Sequence, residues 1–214
     1  MLNVMRLGSG ARIELFDGGG NTATGVIQST TRKSLTITVG PVLVTDRELP
    51  LNLVLGVALP RGDRARFLVE KLTELGVSQL VPLVTGRSTN KPGKAAIAKF
   101  QRYVIEASKQ CGRNQLMQVL PATRFEDFLA QAAVFESGLG LHPESDVPLT
   151  VNDIWAVDSL AVCVGPEGGW TPAELEMIES AGWQTRHLGG RILRTETAAI
   201  LLASVFSTLA NRLD

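Results

Sequence analysis

The stretch Gly165-Pro166-Glu167-Gly168-Gly169, followed further on by Leu188-Gly189-Gly190-Arg191-Ile192-Leu193-Arg194-Thr195-Glu196-Thr197-Ala198, decides how the chain is read. Each segment is a glycine-bearing loop between an apolar strand and a helix start. In a strand–helix protein such loops bring exposed backbone N–H and C=O groups to a small ligand. They also bunch two carboxylates, Glu167 and Glu196, with two guanidiniums, Arg191 and Arg194. Charges are scarce beside apolar runs unless something uses them. Two ordinary turns with solvated charges are the alternative for either loop alone; the pair together points to a site.

Around these loops the chain alternates strands with helices. Leu53 to Leu59 reads as a strand, Asp63 to Leu75 as a helix ending at Gly76, Gln79 to Val84 as a strand and Ala95 to Gln110 as a helix. A short strand over Gln118 to Leu120, a helix over Arg124 to Ala133 and a strand over Glu136 to Leu141 follow. Ser159 to Val164 is a strongly apolar strand. Thr171-Pro172-Ala173-Glu174 is a capping box with proline at the first helical position, and its helix stops at Gly182. Gln184 to Leu188 is the last strand, and Thr195 to Arg212 a long apolar-faced helix. This alternation predicts an α/β fold with a largely parallel sheet covered on both sides. Ligands of such sheets bind outside the carboxyl ends of the strands. The loops after Leu141, Val164 and Leu188 can therefore share one pocket, with His142-Pro143-Glu144 the weakest of the three.

The first 48 residues have a different rhythm. Ala11 to Phe16, Thr22 to Ser29 and Ser34 to Val39 are β-rich runs, Asp17-Gly18-Gly19-Gly20-Asn21 is a turn, and Gly40-Pro41 and Leu49-Pro50 punctuate the exit. The expected domains are a small barrel-like β-module over 1–48 and an α/β domain over 51–214.

The 214 residues carry 21 basic and 21 acidic side chains, but the charges are segregated. Between Arg61 and Arg124 there are twelve Lys/Arg against four Asp/Glu; between Phe125 and Glu179 there are eleven Asp/Glu and no Lys/Arg. A basic segment in a neutral chain suggests an anionic partner, nucleic acid above all, against the alternative of solvated helix faces. No apolar run is long enough to span a bilayer, and the N-terminus lacks a secretory pattern. Cys111 and Cys163 make no disulfide framework, and Cys163 reads as core. These features predict a cytoplasmic protein.

Common signatures fail. Gly138-Leu139-Gly140-Leu141-His142-Pro143 starts like a dinucleotide fingerprint, but Pro143 stands where the third glycine belongs. There is no P-loop tripeptide and no G-x-S-x-G elbow. His142 and His187 share no ligand spacing, so neither zinc nor a histidine triad is expected.

The two glycine segments resemble the C-terminal motifs of the RsmE family, 16S ribosomal RNA uridine N3-methyltransferases of the SPOUT superfamily. Lys71-Leu72-Thr73-Glu74-Leu75-Gly76-Val77, Val81-Pro82-Leu83, Arg87-Ser88, Glu106-Ala107-Ser108-Lys109-Gln110-Cys111-Gly112-Arg113 and Leu15-Phe16-Asp17-Gly18 are similar to further family segments, in order along nearly the whole chain. The family begins with an extra strand and a histidine-containing helix ahead of the position of Leu2 to Leu7. The β-module, PUA-like in the family, is therefore expected to be clipped or to start differently. The resemblance implies S-adenosylmethionine as methyl donor, a trefoil knot, a homodimer, no membrane, and ribosomal RNA or the small ribosomal subunit as partner. It also implies a cofactor cradle made of Leu139, Leu141, His142, Val164, Gly165, Pro166, Glu167, Gly168, Leu188, Gly189, Arg191, Ile192, Leu193, Arg194 and Thr197. Ribose 2′-O-methylation by another SPOUT enzyme, and a non-catalytic RNA-binding or ribosome-assembly protein, are the competing readings.

Uridine N3 carries a proton at neutral pH and attacks only once it is lost. A general base is worth about a hundred- to ten-thousand-fold, and a guanidinium beside the uracil anion is complementary. Glu196 and Glu167 are the candidate bases and Arg194 the candidate anion stabiliser. The alternative is structural: a first-turn carboxylate is favoured by the helix dipole alone, and Arg194 pairs with a glutamate. Arg87, Lys91, Lys94, Arg113 and Arg6 are the candidate RNA contacts, with Arg61, Arg64 and Arg66 next.

Overall fold

The computed structural model describes residues 8–31, 34–155 and 157–210. They form two compact units: the chain up to Glu48 with Gly112–Leu116, and Leu49–Cys111 with the chain from Met117 onward.

In the first unit, β1 (Arg12–Phe16), β2 (Asn21–Thr30) and β3 (Leu35–Val44) form an antiparallel sheet in that order. Asp17 makes the β1–β2 turn by accepting N–H bonds from Gly19 at 2.7 Å and Asn21 at 3.2 Å. These bonds, with the Asn21 amide first among them, hold its carboxyl below the usual aspartate range. The sequence predicts that the third strand stops before Gly40-Pro41; β3 instead runs through to Val44. It is the edge of the sheet, where a proline's missing N–H is tolerated. Residues 112–116 are stapled onto this unit. The buried Asn114 amide donates to the carbonyls of Gly20 at 2.9 Å and Thr45 at 2.7 Å.

The second unit has a seven-stranded, all-parallel sheet. Its strands are β4 (Asn52–Val57), β5 (Gln79–Val84), β6 (Gln118–Val119), β7 (Thr123–Arg124), β8 (Ser137–Leu141), β9 (Ser159–Val164) and β10 (Gln184–Arg186). The order is β10-β8-β9-β4-β5-β6, with β7 also on β5. The helices are α1 (Asp63–Glu74), α2 (Lys94–Cys111), α3 (Phe125–Gln131), α4 (Asn152–Trp155), α5 (Pro172–Ser180) and α6 (Thr195–Ala210). The four-residue α4 has no sequence counterpart because it is too short to show a periodicity. Residues 211–212, expected to end the last helix, lie outside the described residues.

β4 and β9 run side by side in the centre with nearly every side chain buried, as a strand covered on both faces requires. On one face Val54, Val81, Leu83, Ala161 and Cys163 pack with Phe125, Phe128, Leu129, Ile178 and Trp183 of α3, α5 and the turn after α5. Gly138 makes room for this layer: a Cβ there would lie 2.1 Å from the Trp183 ring. Burial pushes the Cys163 thiol well up, in keeping with its reading as core. On the other face α6 packs against β4, β9 and α1. β9 lies inside β8 while β10 lies outside it, so the loops leaving all three strands emerge together at one end.

Candidate active site

A cleft opens where those loops meet, with about 640 Å³ of space including open solvent. Leu141, His142 and Pro143 line it after β8; Val164, Gly165, Pro166, Glu167, Gly169 and Trp170 after β9. Arg186, Leu188, Gly189, Arg191, Ile192 and Leu193 line it from β10 onward, and Thr195 and Ala198 from the start of α6.

Local chemistry explains why the loops hold this shape. Trp170 is buried beneath the β9 loop and its indole N–H donates to the Leu141 carbonyl at 2.9 Å, joining two walls of the cleft. A Cβ on Gly165 would lie 3.0 Å from the same indole, so the glycine lets backbone and ring approach. Gly189 turns the chain after β10 at φ +100°, a region that disfavours other residues, and its N–H donates to His187 Nδ1 at 3.0 Å. The capping box at α5 forms as the sequence predicts. Its glutamate does more than cap: Glu174 Oε1 also accepts the Gly86 N–H at 2.8 Å. Arg87 Nη1 donates to the carbonyls of Gly168 at 2.8 Å and Trp170 at 3.1 Å.

The charges are arranged differently from the expected pairing of local arginines and glutamates. The partner of both carboxylates is Arg64, in the first turn of α1. Its Nη1 is 3.1 Å from Glu167 Oε1 and 3.6 Å from Glu196 Oε1. Glu196 is only 7% exposed, and its Oε2 is buried with no hydrogen-bond partner among the described residues. His142 Nδ1, in the loop after β8, is likewise buried with no partner among the described residues. At the β10 side of the cleft, Arg186 donates from Nε to Asp153 Oδ1 at 2.9 Å. Burial opposes the ionised form of Asp153, but the Arg186 bond and those from the Thr150 N–H and hydroxyl outweigh it and hold the carboxyl low.

Of the expected cradle, Leu141, His142, Val164, Gly165, Pro166, Glu167, Leu188, Gly189, Arg191, Ile192 and Leu193 converge on the cleft. Leu139, Gly168, Arg194 and Thr197 are not among its lining residues. Leu139 is buried inside β8, Gly168 faces Arg87, and Thr197 is exposed one turn into α6, where Thr195 takes the inward position. Arg194 is exposed, its carbonyl accepting the first helical bond from Ala198. Among the expected RNA contacts, Arg87, Lys91 and Lys94 are exposed, and Arg6 lies outside the described residues. Arg113 is a correction: it is 5% exposed and its Nε reaches Glu48 at 2.9 and 3.0 Å, so its charge is spent inside the first unit. Sequence reasoning missed Trp170, Arg186 and the inward role of Thr195. Trp170 had a signal, an aromatic directly after the paired glycines; Arg64, a hundred and three residues from Glu167, had none.

Comparison with known proteins fits this site. A family model for an RNA methyltransferase domain matches residues 47–207, and one for an RNA methyltransferase PUA domain matches residues 1–40. The fold is thus that of an RNA methyltransferase. The chain is 30% identical to the Bacillus subtilis (strain 168) ribosomal RNA small subunit methyltransferase E over 97% of its own length and 85% of that protein's. It matches the crystal structure of the Neisseria gonorrhoeae ribosomal RNA small subunit methyltransferase E bound to S-adenosyl methionine with TM-score 0.87 and 34% identity, over 97% of this chain and 87% of that one. A Legionella pneumophila protein in complex with the bound cofactor SAM matches with TM-score 0.88 and 32% identity, over 97% and 86%. The chain belongs to the ribosomal RNA small subunit methyltransferase E family.

Proposed function

We propose that this protein methylates N3 of a uridine in 16S ribosomal RNA, with S-adenosylmethionine as donor. The observation that carries the reading is the convergence of three strand-end loops on one cleft with a buried, half-satisfied carboxylate beside it. The cleft fits the donor in its chemistry. Leu141, Val164, Ile192 and Leu193 offer apolar walls, and Ile192 stands 88% exposed at the mouth without cover. The orphaned His142 Nδ1 offers a polar contact. When bound, the cofactor supplies an electrophilic methyl group on a sulfonium. The backbone of Gly165, Leu188, Gly189, Ile192 and Leu193 holds and orients it, and alignment supplies much of the acceleration. Glu196 Oε2, without a donor among the described residues, takes the N3 proton, with Glu167 as the alternative acceptor. Arg194, exposed at the start of α6, faces the RNA side and offsets the uracil anion.

Lys91, Lys94 and Arg87 contact RNA phosphates in this reading. The trefoil threading is supported by the path of the chain, which leaves β10 at one edge of the sheet and returns to pack α6 on central β4 and β9. A homodimer is supported by the apolar side chains that α6 leaves uncovered, Leu201 at 39% exposed and Ile200, Val205 and Leu209 half-buried; contiguous exposed apolar surface marks an interaction site. A cytoplasmic location follows from a ribosomal substrate.

Incubation with labelled cofactor and small ribosomal subunits or 16S RNA, then nucleoside mass spectrometry, tests the activity. 3-Methyluridine is the expected product; a 2′-O-methylated ribose or no incorporation overturns the reading. Calorimetry with S-adenosylmethionine separates an enzyme from a binding-only protein, and sedimentation of Leu201→Glu against the parent chain tests the dimer.

A further inference from the structure

We propose that Arg64 is a positioning residue of the methyl transfer: from outside the three loops, its guanidinium fixes which oxygen of Glu196 is presented to the substrate. The inference rests on the reading of Glu196 as proton acceptor.

One nitrogen of Arg64 stands between two carboxylates, one on the loop after β9 and one in the first turn of α6, 3.1 Å from Glu167 and 3.6 Å from Glu196. The pairing with Glu167 alone is a surface ion pair, both side chains being more than two-fifths exposed, and such pairs do little for stability. The approach to Glu196 is of another kind, because that side chain is nearly buried. The two oxygens of a carboxylate are chemically equivalent until something distinguishes them. Here Arg64 faces Oε1, and Oε2 is left buried without a donor among the described residues. At 3.6 Å the contact acts through charge rather than as a directed hydrogen bond, which draws Oε1 toward the cation and leaves Oε2 outside that contact. The same cation offsets the repulsion between Glu167 and Glu196. Because α1 packs directly against α6, the helix bearing the cation and the helix bearing the carboxylate move together. Misplacing a reacting group by about 1 Å costs on the order of a hundredfold in rate.

The experiment measures kcat and KM for RNA with small ribosomal subunits, and cofactor affinity by calorimetry, for Arg64→Gln, Arg64→Lys, Glu196→Gln and the double variant Arg64→Gln/Glu196→Gln. Arg64→Gln is expected to lower kcat about a hundredfold with cofactor affinity and melting temperature unchanged. Arg64→Lys, which keeps the charge, should recover most of the loss and serves as the reporter should the glutamine variant be unstable. Because the arginine acts through the glutamate, its replacement should cost almost nothing further once Glu196 is glutamine. Normal turnover by Arg64→Gln alongside an inactive Glu196→Gln overturns the positioning role alone. Normal turnover by Glu196→Gln overturns the proton-acceptor reading and this inference with it. Additive losses, or a loss confined to KM for RNA, make Arg64 an independent RNA contact and overturn the inference too.

Discussion

The hydroxyl of Thr195 donates to the carbonyl oxygen of Gly165 at 3.0 Å. This single bond fastens the first residue of the last helix to the loop leaving the central strand β9, thirty positions earlier in the chain. Thr195 is buried, so replacing it by valine keeps the volume and strips the carbonyl of its donor. An unsatisfied buried carbonyl costs about 1–3 kcal/mol, and Gly165 is half-buried, which puts the expected loss at the lower end, about 1 kcal/mol. Thr195→Val should lower stability by that amount in urea titrations and loosen S-adenosylmethionine binding in calorimetry. Unaltered binding would mean that the two loops keep their spacing without the bond.

Gly165→Ala places a methyl group 3.0 Å from the Trp170 ring, which is itself held by its bond to Leu141. Overpacking of this kind costs about 1–3 kcal/mol. The strain falls on the wall of the cleft proposed to hold the donor, so affinity for S-adenosylmethionine should drop at least as much as thermal stability does. Calorimetry and a melting curve on the same preparation compare the two.

Arg194→Ala should abolish turnover while leaving cofactor affinity nearly intact, since its side chain stands outside the cleft lining. A normal methylation rate in that variant removes the residue from the mechanism.

Lys91 and Lys94 are exposed and without ion-pair partners among the described residues. If both meet phosphates, neutralising them should flatten the plot of log affinity for RNA against log salt, by about 0.7 for each phosphate no longer neutralised on a single strand. An unchanged slope in filter-binding titrations assigns them to a solvated helix face instead.

Asp153→Asn leaves the largely buried Arg186 guanidinium without its charged partner, a loss of about 3 kcal/mol or more at neutral pH. The sign of its pH dependence follows from the lowered carboxyl. A depressed folded-state value stabilises above the ordinary aspartate range, near about 3.9, and that contribution disappears as pH falls through the folded value. The gap between parent and variant should therefore be widest near neutrality and close at more acidic pH, as read by denaturant unfolding across the range.

Much of this molecule was legible in the residues themselves. Runs such as Ser159–Val164 and the capping box at Thr171 are local signals, and local signals survive in a sequence. Eleven of the residues expected around the cofactor do meet at the cleft, because they follow directly from strand ends. The misses came from relationships across long separations. Arg64 meets Glu167 and Glu196 only once α1 is laid against α6. Arg113 looked like a free cation in a basic segment until Glu48 claimed it. Thr197 and Thr195 differ only in helical phase, which the motif alone does not set.

The five-residue excursion at Gly112–Leu116 bears on any attempt to take the protein apart. A cut after Glu48 would release the front module but leave its staple behind, taking Gly20 and Thr45 from the Asn114 amide and Glu48 from Arg113. Modularity here is not that of beads on a string: transplanting either half into another scaffold requires carrying this excursion along or redesigning it.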